Sequence, residues 1–233
     1  MSAKNYENIF RSAVMQQPRN KREALETKCW EARKARNWLE AERLTLELIK
    51  LTAHREPLYL IQLGDFRLFR GDHPGARKAY EETLQRAGTR WYATQGMLRL
   101  MVEQGNQRGI QLWLDHFAAA PIDCGNAVAG HQASVWGLRT IYQAAHQSDA
   151  ERALRQLATG KFTIPSRLLP NEDTTWLKNR MIREATYLLA GLLARSSHPK
   201  EAQQLFMKLA VRAKNGSEMD QIGPLAAFHL KKL

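Results

Sequence analysis

Cysteine is scarce in this chain: Cys29 and Cys124 are the only two, and they stand far apart in no C-x-x-C pattern. No disulfide framework or paired-thiolate metal knuckle is implied, and two buried free thiols in a reducing compartment are expected. Glycine and proline number 14 and 8, few for an all-β protein of 233 residues. Long apolar runs are missing. Nothing approaches the roughly 18 residues of a membrane-spanning helix, and Asn5, Glu7 and Asn8 interrupt the first segment before a signal h-region can form. A cytoplasmic protein is the expectation. The chain has no G-x-x-x-x-G-K-[ST] phosphate loop, no Gly-rich dinucleotide turn and no G-x-S-x-G. Adjacent carboxylates occur as Glu81-Glu82 and Glu172-Asp173, which a solvated helix surface and a loop explain without an acid–base pair. These gaps speak against an enzyme and against a bound cofactor.

What is present is helix-forming. Ala, Leu, Gln, Glu and Arg dominate, and 44% hydrophobic residues are enough for a continuous core. The net charge is +12 and the pI is near 10.0. Such a balance favours an acidic partner, either an acidic protein segment or nucleic acid. Every quarter of the chain is net positive, and no run of five basic residues occurs, so the excess is spread rather than gathered into a patch.

Internal repetition carries the most information. A turn is followed by a small residue and, four positions later, a large one. It reads Arg36-Asn37-Trp38-Leu39-Glu40-Ala41, then Gly71-Asp72-His73-Pro74-Gly75-Ala76 with Tyr80, then Gly105-Asn106-Gln107-Arg108-Gly109-Ile110 with Leu114. Weaker copies are Ser148 to Ala153 with Leu157, and Ser197 to Ala202 with Phe206. The anchors 41, 76 and 110 step by 35 and 34; 153 and 202 follow at longer intervals, implying insertions. Each unit reads as helix, tight turn, helix. In the second, Pro57 opens a helix, Leu60, Leu63, Gly64 and Leu68 follow at helical spacing, and Gly71-Asp72 breaks it and caps the next. Small residues at 64 and 76 let the two helices approach while residues 60, 63, 80 and 84 fill the space around them.

Leu60-x-x-Leu63-Gly64, Gly71-Asp72, Ala76, Tyr80 and Leu84 resemble the consensus of the tetratricopeptide-repeat family, with Arg67 where an aromatic is expected. The first unit is similar through Leu25, Cys29, Ala32, Asn37, Trp38 and Ala41, with Lys28 in place of the usual Leu. The third is looser, with Ile110 replacing the small residue. The resemblance is clear over about residues 22–120. It implies an all-α, right-handed superhelical stack of antiparallel helix hairpins, about 10–12 helices in all. The chain divides into an arm or capping helix at 1–20, repeats over 21–158, an extended connection over 159–175, and a C-terminal repeat with a capping helix over 176–233. Tyr6, Ile9, Phe10, Ala13 and Val14 share one face of the first segment, as a cap on the first repeat or as a detachable docking arm.

In a stack of this kind the first helix of each hairpin builds the concave face, and the resemblance places the candidate partner-binding residues there. They are Trp30, Arg33 and Lys34 in the first unit, with Glu26; Ile61, Gln62, Asp65 and Phe69 in the second; Tyr92, Gln95 and Arg99 in the third, with Glu103; and Tyr142 in the fourth, with Leu138. Aromatics interleaved with Arg are what a peptide-binding hot spot uses. Several of these aromatics could equally pack between units as core. The Lys/Asn clamp by which some family members hold acidic C-terminal tails is not recognisable, since Glu26, Thr27 and Trp30 stand in its place. Asp115, His116, Cys124 and His131 fall within 17 residues, but without a compact pair they make a poor metal site. Arg139-x6-His146 and Arg67-x5-His73 fit the loose R-x4–6-H spacing of helical HEPN ribonucleases no more often than chance predicts in so Arg-rich a chain.

The expectation is therefore a non-enzymatic scaffold or adaptor that docks an acidic or amphipathic segment of another protein. The composition is similar to helical-repeat regions attached to some bacterial signalling regulators. The alternative is a nucleic-acid-associated helical-repeat protein using its basic surface. Self-association through a terminal helix is left open.

Overall fold

The computed structural model describes residues 20–53, 55–85, 90–119, 127–169, 174–196, 198–212 and 221–233. The proposed N-terminal arm and Cys124 lie outside them. The described residues form eleven α-helices and no strand: α1 Lys21–Lys34, α2 Trp38–Leu51, α3 Pro57–Phe69, α4 His73–Leu84, α5 Arg90–Glu103, α6 Gln107–Ala119, α7 Ala127–Ala144, α8 Ala150–Ala158, α9 Thr175–Ala194, α10 Pro199–Arg212 and α11 Ile222–Leu230. Helices adjacent in sequence pack on one another, as in a stack of helical hairpins. No described helix is long and apolar enough to cross a membrane.

One turn is used three times. Arg36, Gly71 and Gly105 take φ of 53°, 80° and 62°. In each case the next residue donates its N–H back across the helix end: Asn37 to Ala32 O at 2.9 Å, Asp72 to Arg67 O at 2.9 Å, Asn106 to Met101 O at 3.0 Å. This closes the helix by a Schellman-type bond. The same residue then caps the next helix, its side chain accepting from Glu40 N at 3.2 Å, Gly75 N at 3.0 Å and Gly109 N at 2.9 Å. One residue thus ends one helix and begins another.

The chain divides into two compact units, with the division between Gly96 and Met97. In the first, Tyr80 is fully buried. A Cβ added at Gly64 would lie 2.4 Å from its Cε1, and one at Gly96 2.5 Å from the same atom. The ring thus fills the space that the two glycines leave, and its hydroxyl donates to Asp65 Oδ1 at 2.6 Å. Arg67, where the consensus has an aromatic, reaches Glu42 Oε1 on α2 at 2.9 Å and Gly75 O on α4 at 3.2 Å. Arg70 joins it on the other oxygen of Glu42. Polar bridging of three successive helices replaces the expected apolar packing.

In the second unit the 20-residue α9 is the hub, packed against α7, α8, α10 and α11. Its Leu177, Met181, Ala185, Leu189 and Leu193 line the core with Ile141, Leu154 and Leu157. Residues 161–165 have no regular structure. Phe162 and Ile164 from this segment, with Leu168 and Leu169 from the turn that follows, nevertheless pack into the same core.

Candidate binding site

Two groupings emerge, one in each unit. In the first, α1 presents Trp30 half-buried. The Arg33 guanidinium lies 5.5 Å from the Trp30 ring and 5.8 Å from the Phe66 ring on α3, and Lys34 Nζ lies 5.2 Å from Trp30. Helical spacing alone puts 30, 33 and 34 on one face. Among the described residues the Trp30 indole N–H has no acceptor. Lys34 is exposed and touches Glu31 at 3.4 Å. Gln62, Tyr92 and Gln95 are half-buried in the same unit.

Other expected members of this face are elsewhere. Ile61 is 9% exposed and Phe69 7%. Phe69 lies edge-on to Trp38 at 5.0 Å, and Trp38 stacks on Phe66 at 6.0 Å. Both residues are core, and Trp38 of α2 covers Phe69. Asp65 is held by the Tyr80 hydroxyl, and Glu26 by Arg22 and Tyr59. That environment, led by burial and the Glu26 contact, pushes the Tyr59 phenol up.

The second grouping draws expected residues of the third and fourth repeats inward. Arg99 and Tyr142 are buried, at 7% and 3% exposure, and Leu138 is buried with them. Arg99 Nη2 donates to Glu184 Oε2 at 2.5 Å, and the Tyr142 hydroxyl donates to Glu184 Oε1 at 2.8 Å. Burial pushes the Glu184 carboxyl up, but the charge and hydrogen bond of Arg99, with help from Tyr142 and Arg180, hold it below its ordinary value. The Arg99 guanidinium also covers the Tyr187 ring at 5.5 Å. Tyr187 donates to Glu103 Oε1 at 2.6 Å, and His229 on α11 meets Glu103 Oε2 at 2.9 Å. Arg180, half-buried, donates to Ser134 Oγ at 3.3 Å. Desolvation, set against the pull of Glu184 and joined by repulsion from Arg99, draws its pKa below the usual arginine value. None of Glu184, Tyr187, Arg180 and His229 is singled out by the sequence. The available signal is Glu184 itself, a charge inside the apolar spacing of α9.

Arg139 and His146 border a recess of about 390 Å³ with Gln107, Ile110, Gln111 and Tyr142. Arg139 is committed to Asp115 at 3.0 Å, and His146 Nδ1 to the Tyr142 carbonyl. Each of the two thus has a partner of its own. His131, weighed as a metal ligand, is buried against Phe117 at 4.8 Å, and burial lowers its pKa.

The class defined by these features is an all-helical protein of stacked hairpins. No family model, curated protein or solved structure matches the chain.

Proposed function

We propose that the chain is a non-enzymatic scaffold of tetratricopeptide-like hairpins that binds an acidic or amphipathic segment of another protein. The observation that carries this is the Trp30 cluster: a half-buried indole with its N–H free among the described residues and two cations stacked on it. A large amphipathic ring flanked by cations offers apolar area and charge at one place, the combination that dominates binding energy at interfaces. The net charge of +12 supports an acidic partner.

The test is Trp30→Ala combined with Lys34→Ala, both outside the buried core. Capture of partners from the source lysate after nuclease treatment identifies a candidate, and calorimetry measures it. An affinity loss of roughly tenfold or more with unchanged helicity is expected. Unchanged affinity removes the Trp30 face from the interface. A captured signal that vanishes with nuclease supports the nucleic-acid reading instead.

A further inference from the structure

We infer that the second unit holds an oxyanion-binding site built on Arg180 and Arg99. Arg180 stands one helical turn before Glu184 on α9, and Glu184 spends Oε2 on Arg99 and Oε1 on Tyr142. Arg180 is left with a neutral partner, the Ser134 hydroxyl at 3.3 Å. The other acid of this neighbourhood, Glu103, is engaged by Tyr187 and His229.

Arg99, which shares Glu184 with this face of α9, carries unpaired donors. Arg99 is 7% exposed, and among the described residues its Nε and Nη1 are buried with no acceptor. Buried guanidinium donors are ordinarily satisfied, and a group left without partners marks a place where something else belongs. Arg180 is the less buried residue of the two. A ligand oxygen arriving there meets a guanidinium fork already stripped of much of its water. The fork fits the planar or tetrahedral oxyanion of a carboxylate or phosphate, and its hydrogen bonds to such a group are charge-assisted. The ligand chemistry is thus an oxyanion. Its two sources are an acidic side chain of a docked protein segment and a free small anion. No residue of the Trp30 face takes part, so this site and the proposed scaffold interface fail or succeed separately.

The experiment titrates the full chain with sodium phosphate and with a hexaglutamate peptide, against sodium chloride at matched ionic strength. Calorimetry and the thermal midpoint are both read. Wild type is expected to gain thermal stability beyond the chloride control with at least one probe, with saturable heat. Arg180→Gln is expected to bind roughly tenfold more weakly or not at all, the loss of one charge-assisted pair. Arg180→Lys, which keeps the charge and loses the fork, falls between them. Among the described residues Arg180 makes one long hydrogen bond, so circular dichroism of both variants should match wild type. A response to hexaglutamate alone assigns the site to an acidic protein segment, and one to phosphate alone to a small anion. The inference is overturned if wild type responds to neither probe beyond chloride, or if Arg180→Gln responds equally.

Discussion

Arg36 occupies a backbone conformation that costs an L-residue about 1–2 kcal/mol. Gly71 and Gly105 meet the same geometry without that cost. Arg36→Gly should therefore raise stability by about 1 kcal/mol, and Gly71→Ala should lower it by a similar amount. Urea unfolding midpoints check the pair. Should neither midpoint move, the left-handed turn is not what sets local stability. These turns are the most legible part of the sequence. Gly71-Asp72 and Gly105-Asn106 announce a helix end and a cap through residue types that few other geometries require. Arg36-Asn37 is legible only through the asparagine, since nothing about an arginine signals a positive φ.

Helix α9 shows where legibility stops. Arg99 on α5 takes an outward-facing place in the repeat pattern, yet it is buried by an acid 85 positions away. Sequence distinguishes a solvated arginine from a paired one only when its partner is near, and Glu184 is not. The same blindness affected Phe69: its spacing suits either an exposed anchor or core, and contact with Trp38 decides it. The folded pKa of Glu184 lies below its ordinary value of 4.5. The pair's contribution is therefore complete above about pH 4.5 and is lost as pH falls through the folded value. Glu184→Gln should cost about 3 kcal/mol at neutral pH, because it leaves Arg99 buried without a counter-charge. It should also flatten the acid limb of stability against pH. An acid limb as steep as that of wild type would show that other carboxyls govern acid unfolding.

For the whole molecule, a charge of +12 spread over every quarter of the chain acts at long range rather than at one patch. Association with an acidic partner should slow by roughly tenfold between low and physiological salt while dissociation changes little. Stopped-flow mixing at several ionic strengths measures this; a salt-independent association rate would remove electrostatic steering from the account. All-helical architecture was legible from composition and repeat spacing. The division into compact units was not. The division falls inside α5, a continuous helix that no composition shift marks. Phe162 and Ile164 meanwhile bind the irregular segment to the α9 core.

The shared turn has a consequence for how such a chain can change length. Residues 36, 71 and 105 sit at equivalent points, each followed by an Asx residue that both ends and begins a helix. Splicing the chain between any two of them rejoins a left-handed residue to a cap, so local geometry is preserved at the junction. The natural quantum of insertion or loss is one whole hairpin of 34 or 35 residues, and lineages carrying more or fewer hairpins can arise by a single unequal exchange.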